Sequence, residues 1–283
     1  LLILFTGYGR EEKRSSRARR AIRRTKGLKS LEAFILSLLI LLFILPPILS
    51  ILYRAFFTKD GSFTLKAWND IISKAPTGAG TGLSAIINSI VIALTSSLTA
   101  VSLSSAIAIS SVRRKSRIVP LLTSLPMAAG SVSLGLGFSF LASSIRGKTL
   151  LLSYILVMLA HLVTVMPFAI RTMMPGAKRI PERLEYASMS LGKSQYYTYR
   201  RIVRPMLSAD RRRAFAFALA LSMGEVNATM ALAEGKVTTL PILIYKMINQ
   251  YNYQGASALA LLLLILAITV FSIGEREEKN AIS

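Results

Sequence analysis

Long apolar blocks alternate with shorter polar and basic segments along this chain of 283 residues. A helix rises about 1.5 Å per residue, so about 20 apolar residues are needed to cross a hydrocarbon core of roughly 30 Å. Six blocks reach that length almost without charged residues, and each predicts a transmembrane helix. The predicted spans cover about residues 31–53, 83–112, 119–142, 150–170, 214–233 and 256–273.

The first residues, 1–5, are also apolar and do not begin with Met, which suggests the end of a preceding span. We therefore expect three parts: the end of a span with a basic linker (1–29), a transmembrane domain (30–275) and a charged tail (276–283). The predicted fold is an all-α membrane protein. It has six full transmembrane helices, a truncated N-terminal span, and a long loop between spans four and five.

The basic residues are distributed unevenly between the two sides of the predicted membrane. If the spans alternate in direction after residues 10–29, 27 of the 35 Lys and Arg lie on the side of that segment and 8 on the other. Segments on the cytoplasmic side of membrane proteins concentrate Lys and Arg. We therefore expect a multi-pass protein of the cytoplasmic (inner) cell membrane, with both ends of 30–283 in the cytoplasm. Membrane topology explains the net charge of +22 without nucleic acid as a partner.

Residues that carry chemistry are scarce in this sequence, which has no cysteine and a single histidine, His161. This composition excludes disulfides and thiolate metal sites, and it leaves no catalytic set for a membrane-embedded enzyme. The only Gly-Lys-Thr in the sequence is 147–149. A nucleotide-binding loop also requires glycine five residues before Gly147, and that position is Ala142. We therefore expect no enzyme activity, no metal site and no cofactor in this chain.

Polar residues inside the predicted spans are candidates for a translocation path, because ionisable groups are costly in a bilayer and are often functional. Glu225 lies in the fifth span beside Gly224, with Asn227 close behind. Glu225 either faces the path or is paired structurally, and the sequence leaves both alternatives open. For His161 we favour a packed histidine that is hydrogen-bonded to backbone. Asn88 is predicted to bond a neighbouring helix.

The long loop between spans four and five, residues 171–213, has helical order. Pro181 suits the first turn of a helix, and Glu182 and Glu185 suit the positive end of its dipole. Side chains with the spacing i, i+3, i+4 and i+7 form one small, weakly apolar face. This face consists of Leu184, Ala187, Ser188 and Leu191.

A second helix is predicted after Gly192, which can adopt the positive φ that other residues resist. Ser194 can cap this helix, and Pro205 is expected to end it. Tyr196 and Tyr199 fall on one face and offer the rigid contact area that anchors interfaces. The loop is either a docking surface for a partner or a surface segment that lies against the protein's own helix ends.

The stretch Tyr186-Ala187-Ser188-Met189-Ser190-Leu191-Gly192, followed by Ile202 and Pro205, resembles the cytoplasmic signature of ABC importer permeases. That signature is Glu-Ala-Ala, three residues, Gly, nine residues and Ile-x-Leu-Pro. Tyr186 and Arg204 depart from it at the glutamate and leucine positions. The stretches 223–229 and 238–241, with Ile244 and Tyr245, resemble permeases for oxyanions, ferric iron or thiamine. The resemblance covers about residues 30–275.

This resemblance implies the permease subunit, or half-subunit, of an ATP-driven importer that forms the translocation path for a small ion or vitamin. The loop 181–205 would contain a coupling helix that docks on a separate cytoplasmic ATPase dimer, which binds ATP and Mg²⁺. A second permease domain and an extracytoplasmic substrate-binding protein are the other implied partners. The implied coupling residues are Leu184, Glu185, Tyr186, Ala187, Ser188, Leu191, Gly192, Ile202 and Pro205.

The alternative is an ion-coupled secondary transporter. Such a protein would be expected to show several carboxylates within its spans, or inverted repeats of its helices. Glu225 is the one clear intramembrane carboxylate of the predicted spans, and no convincing repeat is present. The importer is therefore the favoured prediction.

Overall fold

The computed structural model of the chain describes residues 26–73, 82–116, 118–144, 149–232 and 237–282. The predicted truncated span at residues 1–5 lies outside the described residues, as do most of the basic linker and the last residue of the tail. Two compact units are distinguished, Leu1–Tyr53 and Arg54–Ser283. The first unit contributes most of the first helix, and the second contains every other element described below.

The described residues form helices and no β-strand; the only extended pairing among them is the bridge between Phe57 and Phe63. A short π-helical turn covers Tyr199–Val203. The helices are α1 Lys26–Phe56, α2 Lys66–Ser73, α3 Gly82–Arg113, α4 Ile118–Ala129, α5 Ser131–Ser143, α6 Leu150–Arg179, α7 Glu182–Ser190, α8 Gln195–Thr198, α9 Arg204–Met206, α10 Ser208–Met223, α11 Asn227–Leu232, α12 Leu240–Asn249 and α13 Tyr253–Ile282.

Four segments in the described part of the chain are long and apolar enough to cross a membrane as single helices. They are Glu32–Phe56, Gly82–Arg113, Leu150–Arg179 and Tyr253–Val270. They correspond to the first, second, fourth and sixth spans predicted from sequence. The chain is thus an all-α, multi-pass membrane protein.

The third predicted span is bent rather than straight. Its two halves, Leu121–Ala129 and Ser131–Ser143, meet at an angle of 95°. Gly130 lies at the bend with φ of +74°, a left-handed conformation that only glycine adopts without strain. Together the two halves are long and apolar enough for one span, and the apolar pattern alone did not predict the bend.

The fifth predicted span, 214–233, is also interrupted. α10 ends at Met223, and α11 begins only at Asn227, so residues 224–226 are not helical. The predicted loop at 234–255 contains a further helix, α12, with Pro241 in its first turn. The prediction that 214–233 forms one straight helix is therefore wrong, while the total of six spans stays a prediction.

Small side chains line the contacts between α3, α6 and α10, the three helices that make up the centre of the second unit. Ala100, Ala108, Ala169 and Ala214 are almost completely buried there. Lipid tails are as apolar as leucine, so helices in a bilayer associate mainly through close packing of such small residues. The serines and alanines of the second span therefore serve helix packing.

Candidate functional site

The predicted coupling loop folds as two helical segments around a glycine. α7 follows Pro181 and carries Glu182 and Glu185 in its first turn, where the helix dipole favours negative charge. Gly192 has φ of +75° and reverses the chain. Ser194 then accepts a hydrogen bond from the backbone N–H of Tyr197 at 3.2 Å and caps α8. These helix and turn positions agree with the sequence prediction.

Arg113, at the end of the second span, holds α7 in place. Its Nε donates to Oε1 of Glu185 at 2.9 Å, and its Nη2 donates to the carbonyl of Ile180 at 3.1 Å. Its Nη1 lies 3.8 Å from Oε1 of Glu182. The guanidinium of Arg113 therefore joins the start of α7 to α3 and attaches this short helix to the membrane domain.

The inner side of the loop is tied down by hydroxyl groups. Ser188 is buried, and its Oγ lies 2.7 Å from Oγ1 of Thr198 on the following helix. Tyr199 in turn places its hydroxyl 3.0 Å from Oγ of Ser105 on α3. Ser188 therefore faces inward and contacts α8. The sequence pattern had instead grouped it with Leu184, Ala187 and Leu191 on one face.

The outer side of the loop carries large exposed side chains. Leu191 is 79% exposed, Tyr196 70% and Tyr186 61%. Leu184 and Ala187 are also exposed and lie on neighbouring turns of α7. We call these five residues the loop surface. A rigidly held helix with this much exposed apolar area has the properties of a protein-binding site.

Ile202 is half-buried and Pro205 is exposed at the far end of the loop. The prediction that Pro205 ends the helix is wrong, because the helical path continues through α9 to Met206. The backbone N–H of Arg204 bonds the carbonyl of Tyr199, five residues earlier. This π-turn places Pro205 in the first turn of the next helical segment, where its missing N–H costs little.

The residues predicted for the translocation path lie at the break between α10 and α11. Oε1 of Glu225 accepts a hydrogen bond from the backbone N–H of Ala228 at 3.0 Å, so the half-buried carboxylate caps α11. Gly224 and Asn227 are exposed. Nδ2 of Asn227 donates to Oγ of Ser131 at 3.3 Å. Because Ser131 directly follows the bend of the third span, the two helix breaks lie side by side.

A buried hydrogen-bond network around His161 links four helices behind these breaks. Nδ1 of His161 lies 2.8 Å from Oγ of Ser222, and Nε2 lies 2.6 Å from Oγ1 of Thr229. Oγ of Ser222 is also 3.0 Å from Oγ of Ser96. His161 is packed, as predicted, and both of its ring nitrogens lie within hydrogen-bonding distance of side-chain hydroxyls. Serines and threonines within apolar spans could have predicted these partners, because their hydroxyls can bond a histidine on a neighbouring helix.

A second link fixes the segment that leads into α12. Nδ2 of Asn88 donates to the carbonyl of Thr238 at 3.0 Å, and the hydroxyl of Tyr154 donates to Oδ1 of Asn88 at 2.8 Å. The backbone N–H of Leu240 donates to Oγ of Ser89 at 2.7 Å. Asn88 thus bonds neighbouring segments, as predicted.

No group of three His, Asp or Glu within the described ranges could hold a metal ion.

Comparison with known proteins finds no matching family model, but it finds related sequences. A Salmonella typhimurium protein named for a 2-aminoethylphosphonate transport system, the permease protein PhnV, is 32% identical over 157 residues. The match covers 55% of this chain and 58% of that protein. A Chlorella vulgaris protein named for a sulfate transport system, the permease protein cysT, is 30% identical over 115 residues, or 40% and 43% of the two chains. The chain spans about half the length of these curated relatives.

Solved structures extend the similarity to the fold. The chain superposes on a bacterial ABC transporter involved in alginate import with a TM-score of 0.70 at 14% identity, covering 92% of this chain and 99% of that one. A second structure, of an alginate ABC transporter in complex with a periplasmic protein, gives 0.68 at 14% identity, covering 92% and 97%. At this identity the likeness concerns the fold alone. The chain is therefore similar in sequence to the permease proteins of two transport systems, and similar in fold to a chain of a bacterial ABC transporter.

Proposed function

We propose that this chain is the transmembrane permease subunit, or half-subunit, of an ATP-driven importer. It forms the translocation path for a substrate and is coupled to a separate ATPase through the loop 181–205. The observation that carries this proposal is the loop surface, an exposed apolar patch on a helix that is fixed to the membrane domain.

The mounting of α7 suits the transmission of force. A helix that passes motion from an ATPase to the spans has to move with those spans rather than slide over them. Arg113 bonds the start of α7, while Ser188 and Tyr199 secure its inner side. Leu191 and Tyr196 remain exposed and free to enter a cleft on a partner. The anchored side and the exposed side are thus separate sides of the loop.

In this proposal the partners follow the division of labour of an ABC importer. ATP and Mg²⁺ are bound by a cytoplasmic ATPase dimer, and this chain itself binds no cofactor. A second permease domain, in the same longer chain or in another subunit, completes the membrane unit. A substrate-binding protein supplies substrate from outside; a solved neighbour in complex with such a periplasmic protein supports this point. Both ends of 30–283 lie in the cytoplasm.

The proposed path runs past the adjoining helix breaks. Discontinuous helices in transporters place backbone and polar groups at the centre of the membrane. Glu225 braces the break by capping α11, which leaves the exposed Gly224 and Asn227 to face the substrate. A small oxyanion is the substrate class we propose, because the related permeases are named for phosphonate and sulfate transport.

Copurification from native membranes tests the coupling proposal. The tagged chain is solubilised, and an ATPase that elutes with it on size exclusion is identified by mass spectrometry. Leu184→Arg and Gly192→Asp are expected to lower the recovered ATPase at least tenfold. The first places charge in the loop surface, and the second places a strained, charged residue at the turn next to it. The control Met206→Arg introduces the same charge at an exposed residue outside that surface and should retain the ATPase.

Each folded variant must elute as a monodisperse species for the comparison to count. If the native chain recovers no ATPase, or if both loop variants recover as much as the native chain, the coupling role is overturned. An ion-coupled secondary transporter would then be the leading hypothesis, and transport in proteoliposomes would depend on an ion gradient rather than on ATP.

A further inference from the structure

A cavity of about 910 Å³ opens beside the coupling loop, where α3, α10 and α13 meet the helical run from Tyr199 to Met206. The loop surface does not contribute to it. Its walls differ sharply in character: one is built from arginines and the other from apolar side chains. The cavity is therefore amphipathic, and neither the proposed path nor the loop surface contributes a residue to it.

Five arginines line the basic wall, and none of the described residues that line the cavity is an aspartate or a glutamate. The arginines are Arg200, Arg201, Arg204, Arg211 and Arg212. The nearest carboxylate in sequence, Asp210, is bound by Nη2 of Arg179 at 2.8 and 2.9 Å. Arg200, Arg201 and Arg204 are exposed and form no ion pair within the described part of the chain. Concentrated positive charge around a cavity favours an anionic ligand.

The apolar wall continues from the basic one along α10. Arg211, Phe215 and Leu219 line the cavity at intervals of four residues, so they lie on one side of the helix. At 1.5 Å per residue, the eight residues from Arg211 to Leu219 span about 12 Å. Leu98 of α3 and Val270 of α13 extend the apolar side. The cavity thus has positive charge at one end and an apolar wall at the other, which matches the polarity of a phospholipid.

We propose that this cavity binds the headgroup of an anionic phospholipid. The phosphodiester contacts Arg200, Arg204 and Arg211, and an acyl chain lies along Leu98 and Phe215. Basic pockets between transmembrane helices on the cytoplasmic side have the chemistry to bind such headgroups. A free phosphate would use the arginines but would leave the apolar wall uncovered.

Lipid binding at this place would also act on the coupling loop. Arg200 and Arg204 belong to the helical run that directly follows α8, and Tyr199 in the same run bonds Ser105 of α3. A headgroup held by these arginines and by Arg211 would join the loop to α10. The bound lipid would therefore reinforce the mount of the loop on the membrane domain.

Native mass spectrometry of the detergent-solubilised chain, titrated with phosphatidylglycerol or phosphatidylcholine of the same acyl chains, tests the proposal. Phosphatidylglycerol is expected to bind at least about tenfold more tightly, and Arg200→Gln, Arg204→Gln and Arg211→Gln together should abolish that preference. The matched triple variant Arg114→Gln, Arg171→Gln and Lys178→Gln removes three exposed charges outside the cavity and should retain it. Equal binding of both lipids by the native chain, or an unchanged preference in the cavity variant, overturns the proposal.

A competition experiment on the unmodified chain keeps the test valid if the cavity variant does not fold. Short-chain phosphatidylglycerol should displace the bound lipid, while inorganic phosphate at the same concentration should not. Displacement by inorganic phosphate alone would show a simple anion site and would overturn the lipid assignment. No ATPase is present in either experiment, so the outcome is independent of the proposed coupling role.

Discussion

At the scale of single residues, the contact between Gly176 and Asp210 shows how a glycine can be required inside a transmembrane segment. Asp210 is 5% exposed and accepts two hydrogen bonds from Nη2 of Arg179. A Cβ atom added to Gly176 would lie 2.1 Å from Oδ2 of Asp210 and 3.0 Å from Cδ2 of Leu207. Only the absence of a side chain lets α10 bring its buried carboxylate this close to α6.

The substitution Gly176→Ala is therefore expected to lower the free energy of unfolding by about 1–3 kcal/mol. The added methyl group has to displace Asp210 and loosen its pair with Arg179, and this cost exceeds the roughly 0.5–1 kcal/mol that alanine contributes in a helix. Thermal unfolding of the detergent-solubilised protein measures the change. Gly137→Ala is the matched control, because a Cβ there meets nothing within 4 Å. Equal stability of the two variants would contradict this argument.

At the scale of the element, α7 depends on one arginine for its position. Arg113 bonds Glu185 and the carbonyl of Ile180, and it lies near Glu182, so three points at the start of α7 depend on one side chain. α7 has only nine residues, and helices of this length are marginal in water without tertiary contacts. The order of α7 should therefore depend on this link.

The variant Arg113→Gln is expected to weaken the local stability of α7 by about 1–2 kcal/mol, because charge-assisted hydrogen bonds are lost from a half-buried site. Amide hydrogen exchange of residues 182–190 should become about tenfold faster, while exchange in the middle of α6 stays unchanged. Arg114→Gln removes the neighbouring exposed charge and serves as the control. Unaltered exchange in the Arg113 variant would show that α7 is held by other contacts.

The helical breaks are features of elements that the apolar pattern did not predict. Residues on both sides of Gly130 and of 224–226 are apolar or small, so a hydropathy profile joins each pair into one continuous span. A bend depends on backbone dihedrals and on neighbours that satisfy the freed backbone groups. Glu225 provides one such partner by capping α11, and this contact is visible only in three dimensions.

At the scale of the whole molecule, the predicted orientation can be tested directly because the chain contains no cysteine. Lys193, in the coupling loop, and Asp60, between the first two spans, are both exposed. In intact cells an impermeant maleimide should label Asp60→Cys and should label Lys193→Cys only after permeabilisation. The bias of Lys and Arg towards one side is the physical reason. The reverse labelling pattern would exclude a cytoplasmic ATPase as the partner of this loop.

The candidate coupling site could be predicted in its local structure but not in its contacts. Pro181, Gly192 and Ser194 carry strong local signals for helix starts and turns, and the structure has the helices and the turn where these signals placed them. Ser188 shared the spacing of the apolar residues, yet it bonds Thr198 on the inner side. Spacing identifies neighbours on a helix, whereas the packing of the next helix decides which side becomes buried.

The sequence by itself determined the membrane class, the helical fold and the position along the chain of the long loop between the fourth and fifth predicted spans. These properties depend on the length of apolar runs, the uneven distribution of charge and local turn residues, all of which are read along the chain. Only the tertiary structure decided the bend of the third predicted span, the interruption of the fifth and the hydroxyl partners of His161. It also decided that five arginines and an apolar wall meet in one cavity. Those features arise from residues far apart in sequence, whose meeting depends on how the helices pack.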